Sequence, residues 1–143
     1  MDVKSCDSMI KTKQKGLSVL RDEADKQVSL FVRLNAADAN GTVTCISCNE
    51  SLFWKDAQCC HYENRDNMGT RFYLPNLAPG CEDCNCYNKE FHITEWGKKL
   101  TEEMKIHLAF IAHGTQKFMR FELQEIVDLY TDKVKELRKS KSL

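Results

Sequence analysis

The chain has 143 residues, 42% of them hydrophobic, and its 21 basic and 21 acidic side chains cancel to a formal net charge of zero. That length fits one domain, no apolar run approaches the ~18 residues of a membrane span, and the neutral sum lacks the basic excess usual in nucleic-acid binders. The start, MDVKSCDSMIKTKQKG, has no apolar h-region of a secretory signal, so a cytoplasmic protein is expected, in a compartment that keeps thiols reduced. Eight cysteines in that setting argue for metal rather than disulfides. The basic runs KTKQK and RKSKSL could touch phosphates, but such terminal charge runs read better as solvated tails.

With no internal repeat and no Gly-, Pro- or Ser-rich linker, the expected organisation is one compact domain in three parts. These are an N-terminal helical segment (1–40), a cysteine-rich centre (41–96) and a C-terminal helical segment (97–143). Leu17, Leu20, Ala24, Val28, Phe31 and Leu34 recur at three- and four-residue spacings and predict a helix over 17–35. Asn40-Gly41 signals a turn, and TVTCISCNESLFW reads as a short strand pair around a cysteine turn. TRFYL, rich in residues that favour extended backbone, predicts a strand. Pro75 and Pro79 disfavour helix between them, and a helix is expected to begin near Cys81 and run through EDCNCYNKEF. Thr101 is a plausible N-cap for EEMKIHLAFIAH, which Gly114 would end. The last helix, over 119–138, carries the stripe Leu123, Ile126, Val127, Tyr130, Val134 and Leu137, expected to be core or a dimer seam.

Cys45-x-x-Cys48 and Cys81-x-x-Cys84 are two knuckles that together can give four thiolates to a tetrahedral zinc, at ~2.3 Å each. Zinc held this way contributes heavily to folding. Residues 49–80 separate the knuckles, a loop longer than the roughly 15–20 residues of a simple zinc ribbon. Cys6, Cys59, Cys60 and Cys86 are left over; they read as small hydrophobes, with a swap of one of them into the zinc set and a redox C-x-x-C as the alternatives.

The loop raises the question of chemistry. The order along the chain is knuckle, His61, Asn76, knuckle, Asn85. If His61 lies near the turn of a hairpin and Asn85 starts the following helix, one zinc clamp brings them together. A neutral imidazole can take a proton from an attacking water, and an amide carbonyl suits a hard ion such as Mg²⁺ or Mn²⁺. That ion would stabilise charge on a scissile phosphate and its leaving oxygen. The competing reading makes His61 a surface or packing residue.

The run CISC…W…HY…R…TRF…N…P.C..CN resembles the phage NinG/Rap recombination proteins, which are placed with the HNH and endonuclease VII-like nucleases of the ββα-metal fold. The resemblance covers about residues 28–92, including VRLNAADANGTVTC and the WK of the hairpin, and extends more weakly into RFELQEIVDLYTDKVKEL. It implies an α+β fold: a small zinc-stapled ββα-metal (HNH-like) core flanked by N- and C-terminal helices. Cys45, Cys48, Cys81 and Cys84 match its structural zinc ligands and His61 its general base. Asn76 matches the middle asparagine that ties down the hairpin loop, and Asn85 the ligand of a catalytic divalent ion, Mg²⁺ or Mn²⁺. Asn88 and Lys89 fall where relatives place supporting polar groups. Arg65 and Arg71 match basic positions that could meet phosphates or brace the hairpin as an ion pair.

One position departs from the wider pattern. Many of these nucleases have an aspartate before the histidine as a second metal ligand, and this chain has Cys60, a poor partner for Mg²⁺. Asp56, Glu63 and Asp66 are the candidates to complete the site. The resemblance implies a metal-dependent endonuclease acting on branched DNA, of Holliday junction or D-loop type, and paired incision implies a homodimer. The alternatives are a non-catalytic zinc module that binds DNA or a recombination partner, and a structural protein in which zinc supports a helical interaction surface.

Overall fold

A computed structural model describes residues 14–143; Cys6 and the first part of the KTKQK run lie outside the described residues. The fold is α+β, with two small two-stranded sheets set among helices. The first helix, α1 (Leu17–Ala36), buries Leu20, Ala24, Val28, Val32 and Leu34. The stripe expected from spacing is thus its core face, except that Leu17 is exposed at the first turn.

The last helix, α5 (Arg120–Lys141), lies along α1 and buries Leu123, Tyr130 and Val134. Phe31 meets Tyr130 edge to face at 5.2 Å, so the α5 stripe is core. The two helices run the same way, because Lys141 near the end of α5 reaches the end of α1. Its ammonium donates to the carbonyls of Leu34 (2.8 Å), Asn35 (3.1 Å) and Ala37 (2.7 Å). Those carbonyls lie at the C-terminal end of α1, where the helix dipole is negative, and the one of Leu34 is shared with the Ala37 N–H. The RKSKSL run, expected as a solvated tail, therefore continues α5 and caps α1 through Lys141.

Strands β1 (Thr42–Thr44) and β2 (Ser51–Phe53) pair antiparallel around the first knuckle, as the sequence indicates. Gly41 turns the chain into β1 at φ +80°, a conformation that suits glycine. Trp54, 2% exposed, then fills the space beneath them among Leu34, Ala37, Val43, Ala57 and Val134, tying the knuckle to both long helices.

Strands β3 (Gln58–His61) and β4 (Leu77–Gly80) form the second pair, with His61 opposite Leu77 and Gln58 opposite Gly80. The returning strand is thus LAPG, and the strand expected over TRFYL is corrected. Thr70 and Arg71 belong to a single helical turn, α2 (Met68–Arg71), and a 3₁₀ turn spans Leu74–Asn76. Propensity for extended backbone loses there to local hydrogen bonding: the Thr70 N–H donates to the Asn67 carbonyl (3.2 Å), the Tyr73 N–H to the Thr70 carbonyl (3.2 Å) and the Asn76 N–H to the Tyr73 carbonyl (2.9 Å). Pro79 is tolerated in β4 because its backbone faces the outer edge of the pair, where its carbonyl accepts the Ile46 N–H at 3.0 Å and no N–H is required.

The chain next makes a wide π-type turn at Asp83–Tyr87, breaks at Asn88 (φ −130°, ψ 53°) and enters α3 (Lys89–Lys99). The helix expected to run from Cys81 onward is therefore two pieces. Helix α4 (Glu102–Ala112) starts where foreseen, with the Thr101 side chain accepting from the Met104 N–H at 3.1 Å.

Candidate functional site

The two knuckles meet. The sulfurs of Cys45, Cys48, Cys81 and Cys84 lie within 4.8 Å of one another, three of the residues are buried, and Cys48 lies nearest the surface. Cys48 and Cys81 Sγ are 3.8 Å apart, which is no disulfide. It is the edge, ~3.8 Å, of a tetrahedron with ~2.3 Å metal–sulfur bonds. The donor set therefore fits a structural zinc. Burial raises the Cys45 thiol, but backbone N–H groups of Cys48, Cys81 and Ser47 aimed at its sulfur outweigh that and bring it down to about 7. Such donors stabilise the thiolate that a metal needs.

The leftover cysteines are not in the set. Cys60 is buried with Ala78 and Trp96, and burial pushes its thiol up. Burial also raises Cys59, to about 12. Alternation along β3 explains the split: Cys60 faces the packed side, while Cys59 and His61 face a cleft. The residue before the histidine is therefore turned away from His61's side and offers nothing to an ion there.

That cleft, about 720 Å³, lies between β3, the loop after it and the start of α3. His61, Asn64, Arg65, Asp66, Asn85 and Lys89 all border it. His61 and Asn85, far apart in sequence, thus share one cavity. Of the three carboxylates weighed as completing ligands, Asp66 borders the cleft, and Asp56 and Glu63 do not.

His61 Nε2 lies 3.1 Å from the Arg71 carbonyl. A carbonyl only accepts, so Nε2 carries the proton and Nδ1 keeps its lone pair. Burial lowers the affinity of the ring for a second proton, and the positive charges of Arg65 and Arg71 act the same way. The Arg71 carbonyl and Asp25 oppose them, and the net shift is downward. The imidazole is neutral at pH 7, as a proton acceptor must be.

Asn85 donates from Nδ2 to Gln58 Oε1 at 2.7 Å, which fixes the amide and leaves its carbonyl oxygen as the atom with lone pairs to offer. Gln58 went unnoticed in the sequence, where an isolated glutamine carries no signal. Asn76 is fully buried. Its Oδ1 accepts from the Glu63 N–H at 2.7 Å, and its Nδ2 donates to the Glu63 carbonyl at 3.1 Å and the Thr70 carbonyl at 3.2 Å. It holds the loop closed and does not border the cleft. Arg71 makes a two-point ion pair with Asp25 of α1, at 2.9 and 2.5 Å, with both side chains largely buried. Between phosphate contact and bracing pair, Arg71 is a brace here, joining the loop to α1. Arg65 and Lys89 are exposed at the cleft rim, and Asn88 donates to the Asp83 carbonyl at 3.4 Å inside the π-type turn.

His92 was also missed. It is 2% exposed, and its Nδ1 meets the Ser47 hydroxyl, which itself donates to the His92 carbonyl at 3.0 Å. Lys99 Nζ adds contacts to the Ile46 carbonyl (2.5 Å) and Asn49 Oδ1 (2.6 Å). Together these side chains fasten α3 to the first knuckle, so the cysteine cluster, α3 and the cleft wall are one unit.

A protein family described as "Bacteriophage Lambda NinG protein" matches the chain over residues 4–140. No curated protein and no solved structure gave a match.

Proposed function

The chain belongs to the bacteriophage lambda NinG family, and from that premise we propose that it is a metal-dependent endonuclease of branched DNA built on an HNH-like ββα-metal core. The observation that carries this reading is the shared cleft: a neutral imidazole and a fixed carboxamide border one cavity beside a four-cysteine cluster. The order β3, β4, π-type turn, α3 supports the assignment of the core.

In the proposed reaction, His61 Nδ1 takes a proton from the attacking water, with the ring held by the Arg71 carbonyl. Asn85 Oδ1, with the Asp66 carboxylate, would hold the catalytic divalent ion, Mg²⁺ or Mn²⁺, which supplies charge stabilisation at the scissile phosphate and leaving oxygen. Lys89 and Arg65 at the rim would neutralise flanking phosphates. The zinc at Cys45, Cys48, Cys81 and Cys84 is structural. Paired incision of a four-way junction calls for a homodimer. The α5 stripe is spent on α1, so the seam lies elsewhere, and α4 presents Ile106 (70% exposed) and Phe110 (80%) for it. No helix among the described residues is long and apolar enough to cross a membrane, and the cytoplasm of a phage-infected host is the proposed setting.

One observation favours a second reading, a non-catalytic zinc module that binds branched DNA. Cys60 stands where an aspartate ligand is expected, and Asp66, its replacement, is exposed. The test that separates the two is incubation of the zinc-loaded protein with a labelled four-way junction and Mg²⁺ or Mn²⁺, with linear duplex as control. The nuclease reading expects divalent-dependent cutting of the junction and little of the duplex. Tight binding with no cutting under either ion gives the module instead.

A further inference from the structure

His61 stands between two cavities. On one side is the 720 Å³ cleft; on the other a narrower groove of about 230 Å³ runs between α1 and the loop after β3. Cys59, His61 and Arg65 border both, so these side chains form the wall the two cavities share. The groove's far wall is α1, which contributes Asp25, Lys26 and Ser29. Its charge is lopsided. The Asp25 carboxylate is taken by the two-point pair with Arg71, whereas Lys26 and Arg65 have no ion-pair partner among the described residues. A chain with zero net charge thus gathers two cations without ion-pair partners beside the proposed general base, and the Ser29 hydroxyl lines the same groove.

We propose that this groove is a second phosphate-binding subsite. It takes the phosphate next along the same nucleic-acid strand from the one at His61, held by Lys26, the Arg65 guanidinium and the Ser29 hydroxyl. The assignment rests on the nucleic-acid reading of the cleft given above. The groove has room for a phosphate and its sugar and none for a duplex, so it receives one strand's backbone. It gives α1, otherwise a core helix, a direct part in orienting the substrate, and the Asp25–Arg71 pair keeps the α1 wall in place. A strand held on both sides of the scissile phosphate is aligned for in-line attack, the entropy of alignment being met by binding.

The test uses full-length, zinc-loaded protein and a labelled four-way junction, with binding measured without Mg²⁺ or Mn²⁺ from 50 to 200 mM salt. Each phosphate contact adds roughly 0.7–0.9 to the slope of log K against log salt. Lys26→Ala is expected to flatten the slope by about one such contact, Lys26→Glu to weaken binding further, and Lys26→Arg to restore the wild-type slope. Lys135→Ala, on exposed α5 surface, should leave it unchanged, and thermal melts of all four variants should coincide with wild type. If the wild type binds and cuts the junction while Lys26→Ala and Lys26→Glu keep its slope, the subsite falls and the nuclease reading stands. If the wild type has no affinity for DNA at low salt, both fall. If it binds without cutting and the slope depends on Lys26, the subsite stands in the DNA-binding module.

Discussion

Asn76 closes a ring on Glu63, accepting its N–H at 2.7 Å and donating to its carbonyl at 3.1 Å from a fully buried side chain. A third bond, to the Thr70 carbonyl, pulls in the helical turn whose last residue, Arg71, holds the His61 ring. Asn76→Ala leaves the Glu63 N–H and carbonyl without their partner and takes one bond from the Thr70 carbonyl, which keeps the Tyr73 N–H at 3.2 Å. We expect a loss of about 3 kcal/mol, on the scale of ~1–3 kcal/mol for each buried group left unsatisfied. Urea unfolding measures it; a change under about 0.5 kcal/mol would mean that the loop holds itself without the carboxamide.

Zinc removal should act from the knuckles outward. Structural zinc supplies roughly 10–16 kcal/mol in small finger peptides, as much as the ~5–15 kcal/mol stability of a whole domain. The α1–α5 core clusters contain none of the four cysteines. Chelation is expected to raise amide exchange first around 45–48 and 81–87, while the α1–α5 pair keeps its helicity longest. Cys84→Ser should not retain one zinc per chain. Zinc-free material with an unchanged melting curve contradicts the cluster's role.

Gly80→Ala probes the close contact of β4 with β3. An added Cβ would lie 2.5 Å from the Cys60 sulfur, which is fully buried and cannot retreat. Gly80 also precedes the ligand Cys81, so any shift moves a knuckle. Overpacking of this kind costs about 1–3 kcal/mol, and we expect the upper end together with weaker zinc retention. A melting temperature equal to wild type would contradict it.

Much of this was legible in the sequence, for identifiable reasons. The knuckles show as spacing, and α1, α4 and α5 as periodicity, with the Thr101 cap of α4 readable as well. The loop was not legible. TRFYL has strand composition, but its backbone groups close turns with near neighbours, and Asn76 ties the Thr70 carbonyl to Glu63, an arrangement that propensity does not carry. Asp25 was invisible as Arg71's partner because the two lie on different elements. Gln58 and His92 act through neighbours brought by folding, so neither stands out in a linear reading.

The proton affinity of His61 sets a pH window. Its folded-state pKa is lowered, chiefly by burial, while the unfolded chain's imidazole titrates near ~6.5. The unfolded state therefore binds the proton first as pH falls. The stability held by the neutral ring is complete above ~6.5 and is lost as pH drops through the folded value. The urea midpoint should fall between pH 7.5 and 5.5, before most carboxylates titrate, and His61→Ala should reduce that fall to the part owed to buried His92, whose proton affinity burial also lowers. The same shift puts the acid limb of cutting below pH ~6.5. A limb well above that would mean another group is the base.

The most direct measurement compares wild type with His61→Ala on the labelled junction in Mg²⁺ or Mn²⁺, following binding and single-turnover cutting in parallel. Loss of a positioned general base costs ~10²–10⁴-fold, so cutting should collapse by that factor while junction affinity and zinc content stay at the wild-type level. Cutting by His61→Ala at the wild-type rate, with the same affinity, would contradict the role given to the cleft.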